Sequence, residues 1–226
     1  MRIRGGVAVL LSALALAGCR PPPPSPAFLA ACGAGRTVER NETRPSDTLF
    51  FPGTRIGFNF FTVPLELPTQ PCLTCIYALA KGYSAIEYPL LPIEGGAGGE
   101  ARVARHAFAV QGDPRYAWIA SAPGYYRRWI ASKTPPGRCV TLETGPRTAV
   151  VAVERIEKRH PGGFREQTFR AVDSRTGSVI ARSTTFIQDN GELRAHYCRP
   201  DRSDPDARQL NEVLQAVPPL GRVGTR

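Results

Sequence analysis

Four strand-like runs dominate the last third of the chain: Thr148 to Lys158, Phe164 to Val172, Val179 to Ile187 and Glu192 to Tyr197. They are rich in β-branched and aromatic residues. His160-Pro161-Gly162-Gly163, the Asp173 to Gly177 stretch and Asp189-Asn190-Gly191 separate them. Turns this short join consecutive antiparallel strands, so the pattern predicts a meander. Arginines 155, 165, 170, 182 and 194 are expected on its wet face. After it, Leu210, Val213, Leu214 and Val217 recur at i, i+3, i+4 and i+7, with Asp204 as a cap and Pro205 at the first helical position. That is a helix with one apolar stripe, expected to pack on the sheet.

Upstream, Leu49 to Leu67 mixes aromatics with Pro52, Gly53, Pro64 and Pro68, which suits short strands broken by turns. Cys72 to Lys81 reads as a short helix closed by Gly82, and Tyr83 to Leu91 as a strand with Ile86 and Tyr88 alternating. Gly95 to Gly99 is a loop, with further strands at Arg102 to Val110 and Tyr116 to Ala120. The predicted class is α+β: an antiparallel β-sheet meander, a short helix after residue 71, and a C-terminal helix packed on the sheet.

The amino terminus has a different pattern. Met1-Arg2-Ile3-Arg4 is cationic, an apolar run from Gly5 to Ala17 follows, and the run ends in Leu16-Ala17-Gly18-Cys19. This is the layout of a secretory signal whose apolar part is too short to span a bilayer. Its end resembles the lipobox of bacterial lipoproteins: an aliphatic residue, two small residues and a cysteine. The resemblance covers residues 1–19 and implies a processing class, not a fold. It implies removal of residues 1–18, diacylglycerol on the Cys19 thiol, and a further acyl chain such as palmitate on the new amine. Arg20 follows, not the aspartate that favours inner-membrane retention in the enteric members, so the expected location is the outer membrane, periplasmic face. Pro21 to Pro26 should form a polyproline rod, making residues 19–46 a tether and 47–226 a single α+β domain.

Length and composition add limits. The chain has 226 residues, 42% hydrophobic and 21% charged, which suits one folded domain and excludes global disorder. The net charge is +10, carried by arginines scattered along the chain against only three lysines. No nucleic-acid motif accompanies that charge, so the expected partners are membrane, an envelope protein or cell wall, with no nucleic acid. A chain beginning at Cys19 loses Arg2 and Arg4 and keeps +8.

Five cysteines remain once Cys19 carries lipid: Cys32, Cys72, Cys75, Cys139 and Cys198. Export makes disulfides the default, and an odd count leaves one thiol over. Cys139 precedes the first meander strand and Cys198 ends the last, so adjacent strand ends could pair them. Cys32, in the tether, is then the leftover, although its pairing with Cys72 or Cys75 stays open. Cys72-Leu73-Thr74-Cys75 at the start of a helix would lower the first thiol's pKa, as in thioredoxin-like oxidoreductases. Against that role, no Gly-Pro lies between the cysteines, no tryptophan precedes them, and no βαβ pattern is visible around them. Ile76 in place of histidine excludes c-type haem, and the lone Cys139 and Cys198 do not complete a zinc site.

No nucleophile elbow, His-Glu-x-x-His or Walker loop occurs, and His106, His160 and His196 are far apart in sequence. Tyr116 and Trp118, with Tyr125, Tyr126, Arg127, Arg128 and Trp129, form an aromatic and arginine-rich stretch. It suits either a contact surface or core packing with the cations reaching outward. The resulting expectation is a lipid-anchored envelope protein with a binding or structural role, no catalytic residue, no metal and no cofactor. The alternative is a membrane-tethered thiol-disulfide oxidoreductase using Cys72 and Cys75.

Overall fold

The computed structural model describes residues 23–35, 37–52, 73–89, 102–114, 124–189, 195–198 and 205–222. Among them are helix α1 (Pro26–Ala34), strands β1 (Thr37–Arg40) and β2 (Thr48–Phe50), helix α2 (Leu73–Leu79), strands β3 (Ala85–Pro89) and β4 (Arg102–Val110), and helix α3 (Gly124–Lys133). Strands β5 (Arg138–Pro146), β6 (Val151–His160), β7 (Phe164–Asp173), β8 (Val179–Asp189) and β9 (Ala195–Tyr197) follow, and α4 (Pro205–Leu214) is the last α-helix. The α+β class therefore holds.

The sheet is mixed, which corrects the expected antiparallel meander. Its order is β1-β8-β7-β6-β2-β3-β4-β5, with β9 pairing β8. The consecutive neighbours β6, β7 and β8 are the meander read from the sequence. The departure lies at β2, which runs parallel to both β3 and β6. Leu49, Phe50 and Phe51 are all buried there, the continuous apolar run of a central strand covered on both faces. Parallel neighbours need a crossover, and α2 lies in the β2-to-β3 connection. A βαβ unit therefore surrounds Cys75 where the sequence showed none. β3 pairs β4 and β4 pairs β5, both antiparallel.

The expected tether is also corrected. Residues 26–34 are helical and residues 37–40 belong to the sheet, with Thr37 opposite Thr184 on β8. Ser25 caps α1 by accepting from the Phe28 amide, Pro26 occupies the first turn, and four alanines supply propensity. Proline and glycine around this segment mark its two ends, not a lack of structure.

The chain divides into two compact units: Met1–Arg36 with Lys158–Glu166 and Thr185–Asp201, and Thr37–Glu157 with Gln167–Thr184 and Arg202–Arg226. The sequence had suggested one domain. In the second unit one hydrophobic cluster includes Leu49, Ile76, Leu79, Ile86, Ile130, Phe169, Ile180, Leu210, Val213 and Val217. The α4 stripe thus buries itself as its spacing predicted. Gly82, at φ 107, follows α2 and closes it as expected.

Two of the meander arginines depart from the expected wet face. Arg155 is largely buried, bonding Gln167 at 2.8 Å and lying 3.6 Å from Asp206, and Arg165 is only 24% exposed beside Asp189. Arg170 pairs with Glu154, and the exposed Arg182 forks onto Glu39. Strand β5 and helix α3 were not anticipated. Arg194, Asp204 and the expected strand at Tyr116 to Ala120 lie outside the described residues. Among those residues, no helix is long and apolar enough to cross a membrane.

Candidate functional site

The cysteines regroup relative to the sequence reading. Cys32, on α1, is bonded to Cys198, just after β9, with Cα atoms 5.1 Å apart and 166 residues between them in sequence. Cys139 is a buried free thiol whose Sγ lies 3.2 Å from the Val110 carbonyl oxygen. The expected Cys139–Cys198 pair is therefore not formed. That pairing rested on neighbouring ends of the first and last meander strands, whereas Cys139 lies on β5, which pairs with β4, and Cys198 follows β9, which pairs with β8. Cys75 is fully buried and disulfide-bonded. Cys19 and Cys72 lie outside the described residues.

Around the first disulfide, the Ser25 amide donates to Gln188 Oε1 at 2.8 Å, and the Phe28 amide donates to Ser25 Oγ at 3.2 Å. Phe28 is buried, with its ring edge-on to Phe164 at 6.1 Å and tilted towards His196 at 6.5 Å. His160 stacks on Phe164 at 5.0 Å and bonds Glu166 at 3.0 Å. Gly162, at φ 99, keeps the β6–β7 turn tight: a Cβ there would stand 3.2 Å from that of Ala27. The segment just after the predicted anchor is thus locked by a cap, an aromatic cluster and a covalent bond.

The second polar centre is Glu87 on β3, with a side chain wholly buried. Its carboxylate accepts from the Thr148 amide at 2.9 Å, the Ala149 amide at 2.9 Å, Thr148 Oγ1 at 2.6 Å, and Arg105 Nε and Nη2 at 3.0 and 2.6 Å. Burial alone would raise its pKa. The bonds from Thr148, Ala149 and Arg105 outweigh that and hold it below the usual 4.5. Arg105 stands opposite Glu87 in the β3–β4 register, and Thr148 and Ala149 belong to the β5–β6 connection. The carboxylate therefore ties a crossover to the sheet. Alternation made Ile86 and Tyr88 the inward residues, but β3 is buried on both faces, so Glu87 is inside as well.

On the same pair of strands, His106 is fully buried. Its Nδ1 lies 3.0 Å from the Thr141 carbonyl oxygen, which can only accept, so Nδ1 carries the proton and Nε2 accepts from the Tyr88 hydroxyl at 3.0 Å. Burial pushes its pKa down to about 4 and raises that of Tyr88 well above its ordinary value. Unfolded, the imidazole titrates near 6.5. The folded pKa is the lower one, so the unfolded chain binds the extra proton and stability falls as pH drops from 6.5 towards 4. The expected loss is up to roughly 3 kcal/mol. Urea titrations at stepped pH should show that slope in the wild type and a flatter one in His106→Phe. Equal slopes would assign the pH dependence elsewhere.

The aromatic stretch falls partly on α3. Trp129 is partly buried and packs against the main hydrophobic cluster, Ile130 is buried, and Arg127 and Arg128 are exposed. Trp129 thus takes the core role and the two arginines face outward. Tyr116, Trp118 and the side chains of Tyr125 and Tyr126 lie outside the described residues. The sequence reading missed Glu87, whose one available signal was a carboxylate inside an apolar strand run.

No family model and no curated protein matches the chain. A PelC dodecamer from Paraburkholderia phytofirmans aligns with 81% of this chain and 99% of its own, at 11% identity and a TM-score of 0.32. A single-substitution form of that dodecamer aligns over 80% and 98%, at 12% identity and a TM-score of 0.28. Likeness at that level carries no argument about this chain.

Proposed function

We propose that this is a lipid-anchored envelope protein, held by acyl chains on Cys19, whose folded part has a binding or structural role at the outer membrane. One conjunction carries the reading. Residues that resemble a lipobox end at Cys19, and a disulfide begins thirteen residues later, at Cys32. A lipobox and a disulfide both call for export to an oxidising compartment. A non-catalytic role is supported by how the strongest polar groups are used. Both ring nitrogens of His106 and both carboxylate oxygens of Glu87 are already bonded within the fold. The test is fractionation of cells producing Cys19→Ala. The wild type should sediment with membranes and the variant should leave them; a variant still bound to membranes defeats the anchor.

The oxidoreductase reading keeps one observation in its favour. α2 begins at Leu73, immediately after Cys72, inside a βαβ unit, and Cys75 is disulfide-bonded. Equilibration with glutathione separates the two readings. A structural bond at Cys75 should resist reduction, with a potential below about −300 mV, whereas a working dithiol would sit between about −270 and −120 mV.

A further inference from the structure

Helix α1, Pro-Ala-Phe-Leu-Ala-Ala-Cys-Gly-Ala, contains no charged side chain. Its inward side is accounted for: Phe28 is buried, and Cys32 is bonded to Cys198. Its outward side is apolar too. Pro26, Leu29, Ala30 and Gly33 are exposed and fall at i, i+3, i+4 and i+7, one continuous stripe. Leu29, at its centre, is 55% exposed. A helix that is apolar all round needs a low-polarity medium on both sides, and folding supplies only one of them.

Chain length says what lies on the other side. Seven residue steps separate Cys19 from Pro26, and at no more than about 3.6 Å each they reach at most roughly 25 Å. If Cys19 bears acyl chains, the near end of this stripe, Pro26, lies within that distance of the bilayer surface, and Gly33 lies at most about 10 Å further along the helix. The cap at Ser25, the buried Phe28 and the disulfide fix the helix's rotation, so the stripe cannot turn inward.

We propose that the outward stripe of α1 rests on the bilayer that holds the Cys19 lipid, burying Leu29 at the boundary between headgroups and acyl chains. The anchor would then hold the helix flat on the membrane instead of letting it swing on a free leash. The occupant is lipid, and the inference rests on the anchored reading above. Lipid contact through such a face needs little area of its own, because the acyl chains already keep it at the surface.

The test uses the lipidated full-length protein with Cys139→Ala, Ala30→Cys and an environment-sensitive fluorophore on position 30, in vesicles of phosphatidylethanolamine and phosphatidylglycerol. The reference is the same chain with Cys19→Ser, free in buffer. Flotation reads the anchor, and iodide quenching of the fluorophore reads the helix. The expected result is flotation together with quenching reduced by roughly threefold or more. Flotation with quenching as strong as in the reference overturns the proposal and leaves the anchor standing. Failure to float defeats the anchored reading and this proposal with it. Adding Leu29→Glu should preserve flotation and the Cys32–Cys198 bond while abolishing protection; protection that survives it contradicts the stripe. Protection that appears without vesicles and grows with protein concentration identifies a second copy as the cover, which also overturns the proposal.

Discussion

Serine at both Cys32 and Cys198 is expected to lower the unfolding free energy by about 2–5 kcal/mol. The bond closes a loop of 166 residues, for which the chain-entropy model allows roughly 5 kcal/mol of lost freedom in the unfolded state. A loss of that size is a large fraction of the total stability of an ordinary domain. Urea denaturation of the oxidised wild type against the double variant measures it. The same variant should expose α1 to proteolysis, because without the bond the helix is held, among the described residues, by the Ser25 contacts and the Phe28 cluster. A change below about 1 kcal/mol, with α1 still protected, would mean that the aromatic cluster alone is sufficient.

Leucine in place of Glu87 is expected to cost a further large amount, about 3–5 kcal/mol, because it leaves the Arg105 guanidinium and the Thr148 and Ala149 amides without their acceptor. Glutamine should cost less, since its carbonyl can still receive one of the amides. The Glu87 pKa is depressed, so its contribution is complete above the unfolded value of 4.5 and is lost as pH falls through the lower folded value. That window lies mostly below the one in which His106 acts. Denaturation midpoints of the wild type, Glu87→Gln and Glu87→Leu at pH 7 should fall in that order. A neutral Glu87→Leu would show that the β5–β6 connection does not depend on the carboxylate.

Elements whose signals are local were legible in the sequence. The β6 to β8 runs have alternating apolar positions with turn residues at their ends, and α4 has a stripe and an initiating proline. Strand Arg102–Val110 was read with its observed ends. What escaped depends on partners distant in the chain. β2 is three residues long, too short for any period to show, and its parallel pairing is decided by β3 and β6. Strand β1 reads Thr-Val-Glu-Arg, with no hydrophobic face to announce it, and is held by its pairing with β8. The cysteine pairing failed for the same reason: adjacent ends of the first and last meander strands suggested Cys139 with Cys198, but β5 and β9 lie at opposite ends of the strand order.

The proposed role of α1 changes how the proposed anchor would work. A long proline-rich leash would let the folded part sample a wide volume, whereas structure starting at Pro26 leaves six residues between Cys19 and the helix.

Intact-mass and amino-terminal analysis of the protein extracted from membranes tests the central claim most directly. The expected result is a chain that begins at Cys19 and carries the mass of a diacylglycerol and an added acyl chain, with the Cys32–Cys198 bond intact. A chain that begins elsewhere, or one whose mass equals that of the bare polypeptide, would contradict it.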